Sequence, residues 1–280
     1  MNKIDEFIEL IEDGKAQDDF EVYCLIQDEG LNELVKGYCK AGYEVKEWMV
    51  LSAIDINDVD LIKYLSYEIT FSGEALYRSF LLRYIEIFRI ITSGHYVCDD
   101  RHKKLIAMES IRLNRSGQFS PYLNCLLESG FDFNFLMHNN VVPLYYYIQT
   151  PVSEEDFDLL MKKGVDPFAT IYVNEFPEGI PLMIYAAIFF REEKQVKLMK
   201  KVIGSVEKWN WTDQWGRNGL HISGQYGWAG RSLLLEMGVD PDHVAMVDSV
   251  GKAVIGKMKG KLPNEYGKSP KELLPKVDWV

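Results

Sequence analysis

Leu144, Leu182 and Leu220 stand 38 residues apart, each inside a short turn-plus-apolar phrase: Val142-Pro143-Leu144-Tyr145, Ile180-Pro181-Leu182-Met183 and Asn218-Gly219-Leu220-His221. Equal spacing of like phrases constrains a fold more tightly than composition does. It marks one supersecondary unit laid down repeatedly, each burying its apolar face on the next. A row of such units offers a recognition surface rather than a catalytic pocket.

A second phrase recurs with the first: Leu126-Leu127-Glu128-Ser129-Gly130-Phe131-Asp132, Leu160-Met161-Lys162-Lys163-Gly164-Val165-Asp166 and Leu235-Glu236-Met237-Gly238-Val239-Asp240. An apolar pair, two polar-tolerant positions and then Gly read as the last turn of a helix with a left-handed cap, where a Cβ is penalised. Asp213-Gln214-Trp215-Gly216 and Asn264-Glu265-Tyr266-Gly267 read as turn tips that open helices, the Asx side chain bonding the turn and Gly taking its positive φ.

On these residues, from about Pro121 to Leu274, the chain resembles the ankyrin repeat family, and most specifically between Trp209 and Asp240. The family pattern is a turn, Thr-Pro-Leu-His opening a first helix, and a second helix ending in Leu-Leu-x-x-Gly-Ala-Asp. Here Val142, Ile180 and Asn218 replace the Thr, only His221 keeps the His, and Gly204 lacks the following Asp. The interval also exceeds the family's roughly 33 residues. The spare length falls between the helix-ending Gly and the next phrase. The resemblance implies an all-α, ankyrin-like solenoid of helix-turn-helix repeats, with His221 bonding turn backbone.

Upstream, Trp48 to Ala53 and Val59 to Leu65 predict two short helices, and Ile87 to Gly94 another ending in Gly. Ile4, Phe7, Ile8 and Ile11 share one helical face. Residues 1–120 are therefore read as divergent helical repeats with an N-terminal cap, and 121–280 as ankyrin-like repeats with an inserted loop at 249–263, in one continuous solenoid.

Charge is unevenly spread. Residues 1–60 carry 16 acidic and 5 basic side chains, so the whole net charge of −11 resides there, while 249–263 holds four Lys and no acid. Two readings stay open: the acidic segment attracts a basic partner and speeds encounter, or it is a solvated face that keeps the chain soluble. Nucleic acid is disfavoured, since phosphate binding needs clustered Lys and Arg and the pI is about 5.0. The acidic opening Asp5-Glu6 and the charged run from Phe80 to Ile91 predict neither a signal peptide nor a membrane span, hence a cytoplasmic protein. Cys24, Cys39, Cys98 and Cys125 are expected as reduced, small buried hydrophobes.

Three motifs bear on chemistry. Gly251 to Lys257 matches G-x-x-x-x-G-K, but Met258 stands where a magnesium-holding Ser or Thr is required, so no nucleotide site is expected. His95, Cys98 and His102 could supply three zinc ligands, with Asp99 or Asp100 as a fourth; an inter-repeat loop with incidental His is the favoured alternative. No Gly-x-Ser-x-Gly elbow occurs, and Glu154-Glu155-Asp156 reads as the acidic first turn of a helix. No cofactor or metal is expected.

Repeat grammar, acidity and the lack of a reactive constellation together predict a protein-protein interaction module without catalysis, whose partner carries a basic surface. Projecting aromatics give large contact area with few rotamers to freeze. The candidate contact residues are Trp215, Trp211, Tyr172, Phe176, Phe135 and Tyr146, with Tyr145 and Trp209 assigned to packing. In compactness, acidity and lack of chemistry the chain is similar to bacterial ankyrin-type immunity proteins, which block a partner toxin. A secreted effector, an adaptor, or a metal-dependent module or enzyme using the 95–102 loop remain the alternatives.

Overall fold

The computed structural model describes residues 2–15, 20–190, 192–202, 206–214, 216–226 and 231–243. Trp215, the Lys-rich loop 249–263 with its Gly251 to Lys257 motif, and the tip at Asn264 lie outside the described residues. The chain divides into two compact units, Met1–Phe131 and Asp132–Val280, and it is mostly helical.

The first unit runs α1 (Lys3–Glu12), α2 (Phe20–Glu29), α3 (Leu31–Lys40), α4 (Glu47–Asp55), α5 (Val59–Leu65), β1 (Phe71–Ser72), α6 (Gly73–Leu81), α7 (Ile85–Ser93), β2 (Tyr96–Val97), α8 (Asp100–Arg115) and α9 (Ser120–Glu128). Asn2 opens α1 by accepting the Asp5 N–H, and the helix buries Phe7 and Ile11, with Ile4 and Ile8 half-buried beside them. The short helices α4 and α5 lie where the apolar runs predicted them. Within the unit, α6 packs on α4, α7 and α8, and α7 on α5 and α9. Phe80, Phe88 and Tyr122 meet there with ring centroids 5.0 to 5.3 Å apart, an arrangement that adds to the area they remove from water.

Gly94 departs from expectation. Its φ of −90° and ψ of −158° are extended, not left-handed. The chain leaves α7 straight into β2, which pairs in parallel with β1 through Phe71–Tyr96 and Ser72–Val97. Other helices do end as the Gly phrase predicts. Gly14, Gly42, Gly117, Gly130, Gly164 and Gly238 all have positive φ. After each one the next N–H reaches back across the last helical turn: Phe131 to Leu126, Val165 to Leu160, Val239 to Leu234. Asn57 and Arg83 make the same cap without glycine. Asn tolerates that region readily. Arg83 is held there while its Nη2 pairs at 2.6 Å with the nearly buried Glu109, which Arg112 also grips.

The second unit runs α10 (Pro143–Gln149), α11 (Glu154–Lys162), β3 (Thr170–Val173), β4 (Phe176–Pro181), α12 (Leu182–Phe189), α13 (Glu193–Lys200), α14 (Val206–Trp209), α15 (Gly219–Tyr226) and α16 (Arg231–Glu236). Its centre is α12, which packs on α10, α13, α15 and α16. Leu182, Met183, Ile184, Ala186, Ala187 and Ile188 are all fully buried, as a helix apolar on most sides requires. Pro143 opens α10, where its missing N–H costs nothing. The acids Glu154, Glu155 and Asp156 form the first turn of α11, capped by Ser153.

The spare length of the middle interval folds into a feature the helical reading did not include, the antiparallel hairpin β3–β4. Its register pairs Thr170 with Pro181, Ile171 with Ile180 and Val173 with Phe176. The flanking intervals instead carry a tight turn, and the two turns match bond for bond at twice the 38-residue beat. Met137 N–H donates to Val141 C=O and Asn140 N–H to Met137 C=O; Asp213 N–H donates to Arg217 C=O and Gly216 N–H to Asp213 C=O. Asn140 and Gly216 both take positive φ, 60° and 71°.

Candidate functional site

Ahead of each of these two turns an Asn bridges to a later Gly-x-Asp phrase. Asn134 Nδ2 donates to Gly164 C=O at 3.0 Å and its Oδ1 accepts the Asp166 N–H at 2.7 Å. Asn210 makes the same pair with Gly238 and Asp240, at 3.2 and 2.8 Å. Asp132, Asp166 and Asp240 each accept the N–H two residues on, which is what the Asp of the Gly-x-Asp phrase does. Before each Asn an aromatic is buried, Phe133 and Trp209, both 1% exposed.

His221 is likewise buried and lies within hydrogen-bonding distance of the Asn218 N–H and side chain. Asn218 in turn accepts from Leu220 and His221 and donates to Asp240 C=O.

Between the β3–β4 hairpin and the turn at Asp213 lies a cavity of about 300 Å³, lined by Glu175 to Gly179 and by Trp211 to Gln214. Local sequence explains its form. Gly179 takes φ +95°, and a Cβ there would meet Thr170 Cγ2 at 2.6 Å and the Tyr172 ring at 3.0 Å, so the strands close only around glycine. Across the cavity, Asp213 Oδ2 accepts from Arg217 Nε at 2.7 Å and Oδ1 from the Arg217 N–H at 2.9 Å. That carboxylate is committed to the turn. Glu175 and Glu178 are exposed and make no ion pair among the described residues.

The hairpin rests on an aromatic bed. Phe176 is buried edge-on to Tyr185 and Phe189, and Tyr185 touches Tyr145, which stands edge-on to Tyr146. The Tyr145 and Tyr185 ring centroids lie 5.9 Å apart. Burial pushes the Tyr185 phenol well above its ordinary range, with Tyr145 and the Glu175 carboxylate adding to the shift; Tyr145 is raised too, chiefly by burial.

Of the candidate contact residues, the structure brings Phe176 and the half-buried Trp211 together in this cavity. Tyr172 is exposed on β3, beneath Gly179. Phe135 and Tyr146 are half-buried elsewhere in the unit, Tyr146 accepting at its hydroxyl from Asn139. Trp215 lies outside the described residues. Sequence reasoning does not single out Glu175, Pro177 and Glu178, although the run Asn174-Glu175-Phe176-Pro177-Glu178-Gly179 between Ile171 and Ile180 carries the signal of a polar hairpin turn.

The first unit holds a larger cavity, about 540 Å³, lined by Glu44, Val45, Glu47, Val50 and by Glu68 to Ser72. It is set between the turn that Gly42 drives out of α3 and the segment joining α5 to β1. Its three glutamates are exposed and make no ion pair among the described residues, and no basic side chain lines it. Two of them belong to the acidic segment 1–60. A concavity so lined attracts cations.

The 95–102 segment is organised differently. His102 packs on Gly73, its Nδ1 lying 2.7 Å from Asp99 Oδ1 and its Nε2 3.1 Å from Glu74 Oε2. Asp99 is the cap of α8, and the His102 N–H first, then the ring, hold its carboxyl below the usual range. His95 is exposed and contributes its backbone C=O to Phe71. Burial raises the Cys98 thiol to about 11, which leaves little thiolate at neutral pH. Among the described residues no three His, Cys, Asp or Glu side chains converge as metal ligands. All four cysteines are free, and no described helix is long and apolar enough to cross a membrane.

No protein-family model matches this chain, and no curated protein matches it in sequence.

Proposed function

We propose that this chain is a cytoplasmic, non-catalytic interaction module of the ankyrin type that holds a protein partner by a basic surface. The observation that carries the reading is the pair of carboxylate-lined concavities whose glutamates are left without ion pairs among the described residues. The ankyrin reading is supported by the Asn134 and Asn210 bridges and by the matching turns at Met137 and Asp213, since identical bonds at twice the sequence beat are what a repeated unit produces. In the particular case of an immunity protein, the module would act by covering a basic toxin surface.

Long-range attraction between an acidic module and a basic partner accelerates encounter and is screened by salt. The partner is recovered from the source cell by pull-down, and association is then timed by surface plasmon resonance. Raising salt from about 0.05 to 0.5 M is expected to slow association by about tenfold or more, and E44Q/E47Q/E68Q to slow it at low salt. An on-rate indifferent to salt and to these substitutions overturns the basic-partner reading.

A further inference from the structure

We propose that the cavity beneath the β3–β4 hairpin receives a single arginine side chain of the partner, its guanidinium against Trp211 and facing Glu175 and Glu178. This rests on the reading of the chain as a binder of basic proteins and gives one of its contacts a chemical identity.

The size sets the first limit. About 300 Å³ accommodates one long side chain; a helix, roughly 10 Å across with its side chains, does not enter. The wall chemistry sets the second. Trp211, Phe176 and Pro177 give the lining apolar surface, and Glu175 and Glu178 give it carboxylates. An apolar side chain would desolvate those carboxylates without compensation, and an acidic one would be repelled. A cation satisfies both, because it is drawn to an aromatic face and to carboxylates alike.

Arginine suits the site better than lysine. Its guanidinium is planar, stacks on aromatic faces, is more weakly hydrated than an ammonium, and carries five donors in a fork that can serve two carboxylates. The third acid, Asp213, is already bonded twice to Arg217. It shapes the wall, which leaves Glu175 and Glu178 for the incoming charge.

The test uses the full chain, isotopically labelled, titrated with Nα-acetyl-arginine amide and, separately, with the neutral Nα-acetyl-citrulline amide. With the arginine probe the Trp211 indole N–H and Gly179 amide signals are expected to move and to saturate at a millimolar Kd. Citrulline is expected to bind about tenfold more weakly, as are E175Q/E178Q and W211A to the arginine probe, while their remaining signals stay dispersed. The control E86Q/E128Q, at exposed carboxylates of the first unit that line neither cavity, leaves the arginine Kd unchanged. Unmoved Trp211 and Gly179 signals, equal response to citrulline, or loss of binding in E86Q/E128Q alone overturns the proposal. Such a failure is separable from failure of the basic-partner reading, because salt-dependent association with the partner is read independently of this probe.

Discussion

Asn134 and Asn210 show how much of a turn rests on one side chain. Each joins its turn to the next Gly-x-Asp phrase with one donated and one accepted bond, and each backbone group it satisfies is otherwise left to solvent. Net worth per bond is about 1 kcal/mol, so N134A and N210A should each lower unfolding stability by about 1 to 2 kcal/mol, read by urea titration. A loss no larger than that of an exposed helix substitution would mean the bridge is incidental. The phrase Gly-x-Asp was legible in the sequence because positive φ and an Asx turn are local properties. The Asn was not, since its partners lie some thirty residues downstream and no local pattern announces them.

At the scale of elements, the hairpin β3–β4 is where helical grammar gave way. The interval from Gly164 to Leu182 holds Thr170-Ile171-Tyr172-Val173, a β-branched and aromatic run, and strand pairing outcompetes a featureless loop once Phe176 can bury itself against Tyr185 and Phe189. The expectation of extra length there was legible; its conversion into strands needed the cross-strand partners. Gly179 is the position that decides the pairing, being both left-handed and closed over by Thr170 and Tyr172. G179A should therefore destabilise the hairpin by about 1 to 3 kcal/mol and open the arginine cavity, with faster hydrogen exchange at the hairpin amides while α12 keeps its protection. Exchange unchanged across 170–181 would show that the strands tolerate a Cβ. By contrast α4, α5 and α11 were readable to within a residue or two, because apolar runs and an acidic first turn are local signals, and the caps the structure shows at Asp58 and Ser153 agree with them.

At the scale of the molecule, what the sequence could not convey was where charge and aromatics meet. The acidic count of residues 1–60 was plain, yet the first cavity also draws Glu68, which the count excluded, and the second draws Glu175 and Glu178 from a stretch of balanced charge. Burial of phenols is equally global. Tyr38, Tyr96, Tyr122, Tyr145 and Tyr185 are all pushed up, in each case first by burial, and Tyr38 also by donating to Glu12 at 2.6 Å. A raised folded pKa means the folded chain keeps protons that the unfolded chain releases above about pH 10. The contribution of these groups is thus complete below that pH and is lost as pH climbs toward the folded values. Of the sixteen tyrosines, those raised by burial should be the last to ionise. A later step in near-ultraviolet phenolate absorbance should then coincide with loss of helical circular dichroism. Self-repulsion of a chain already at −11 acts in the same direction, but roughly 1 M salt, with a screening length of about 3 Å, suppresses repulsion without altering burial. The coincident step should therefore persist at high salt. One smooth titration of all the phenols with helicity intact would show that these rings are not kept protonated by the fold.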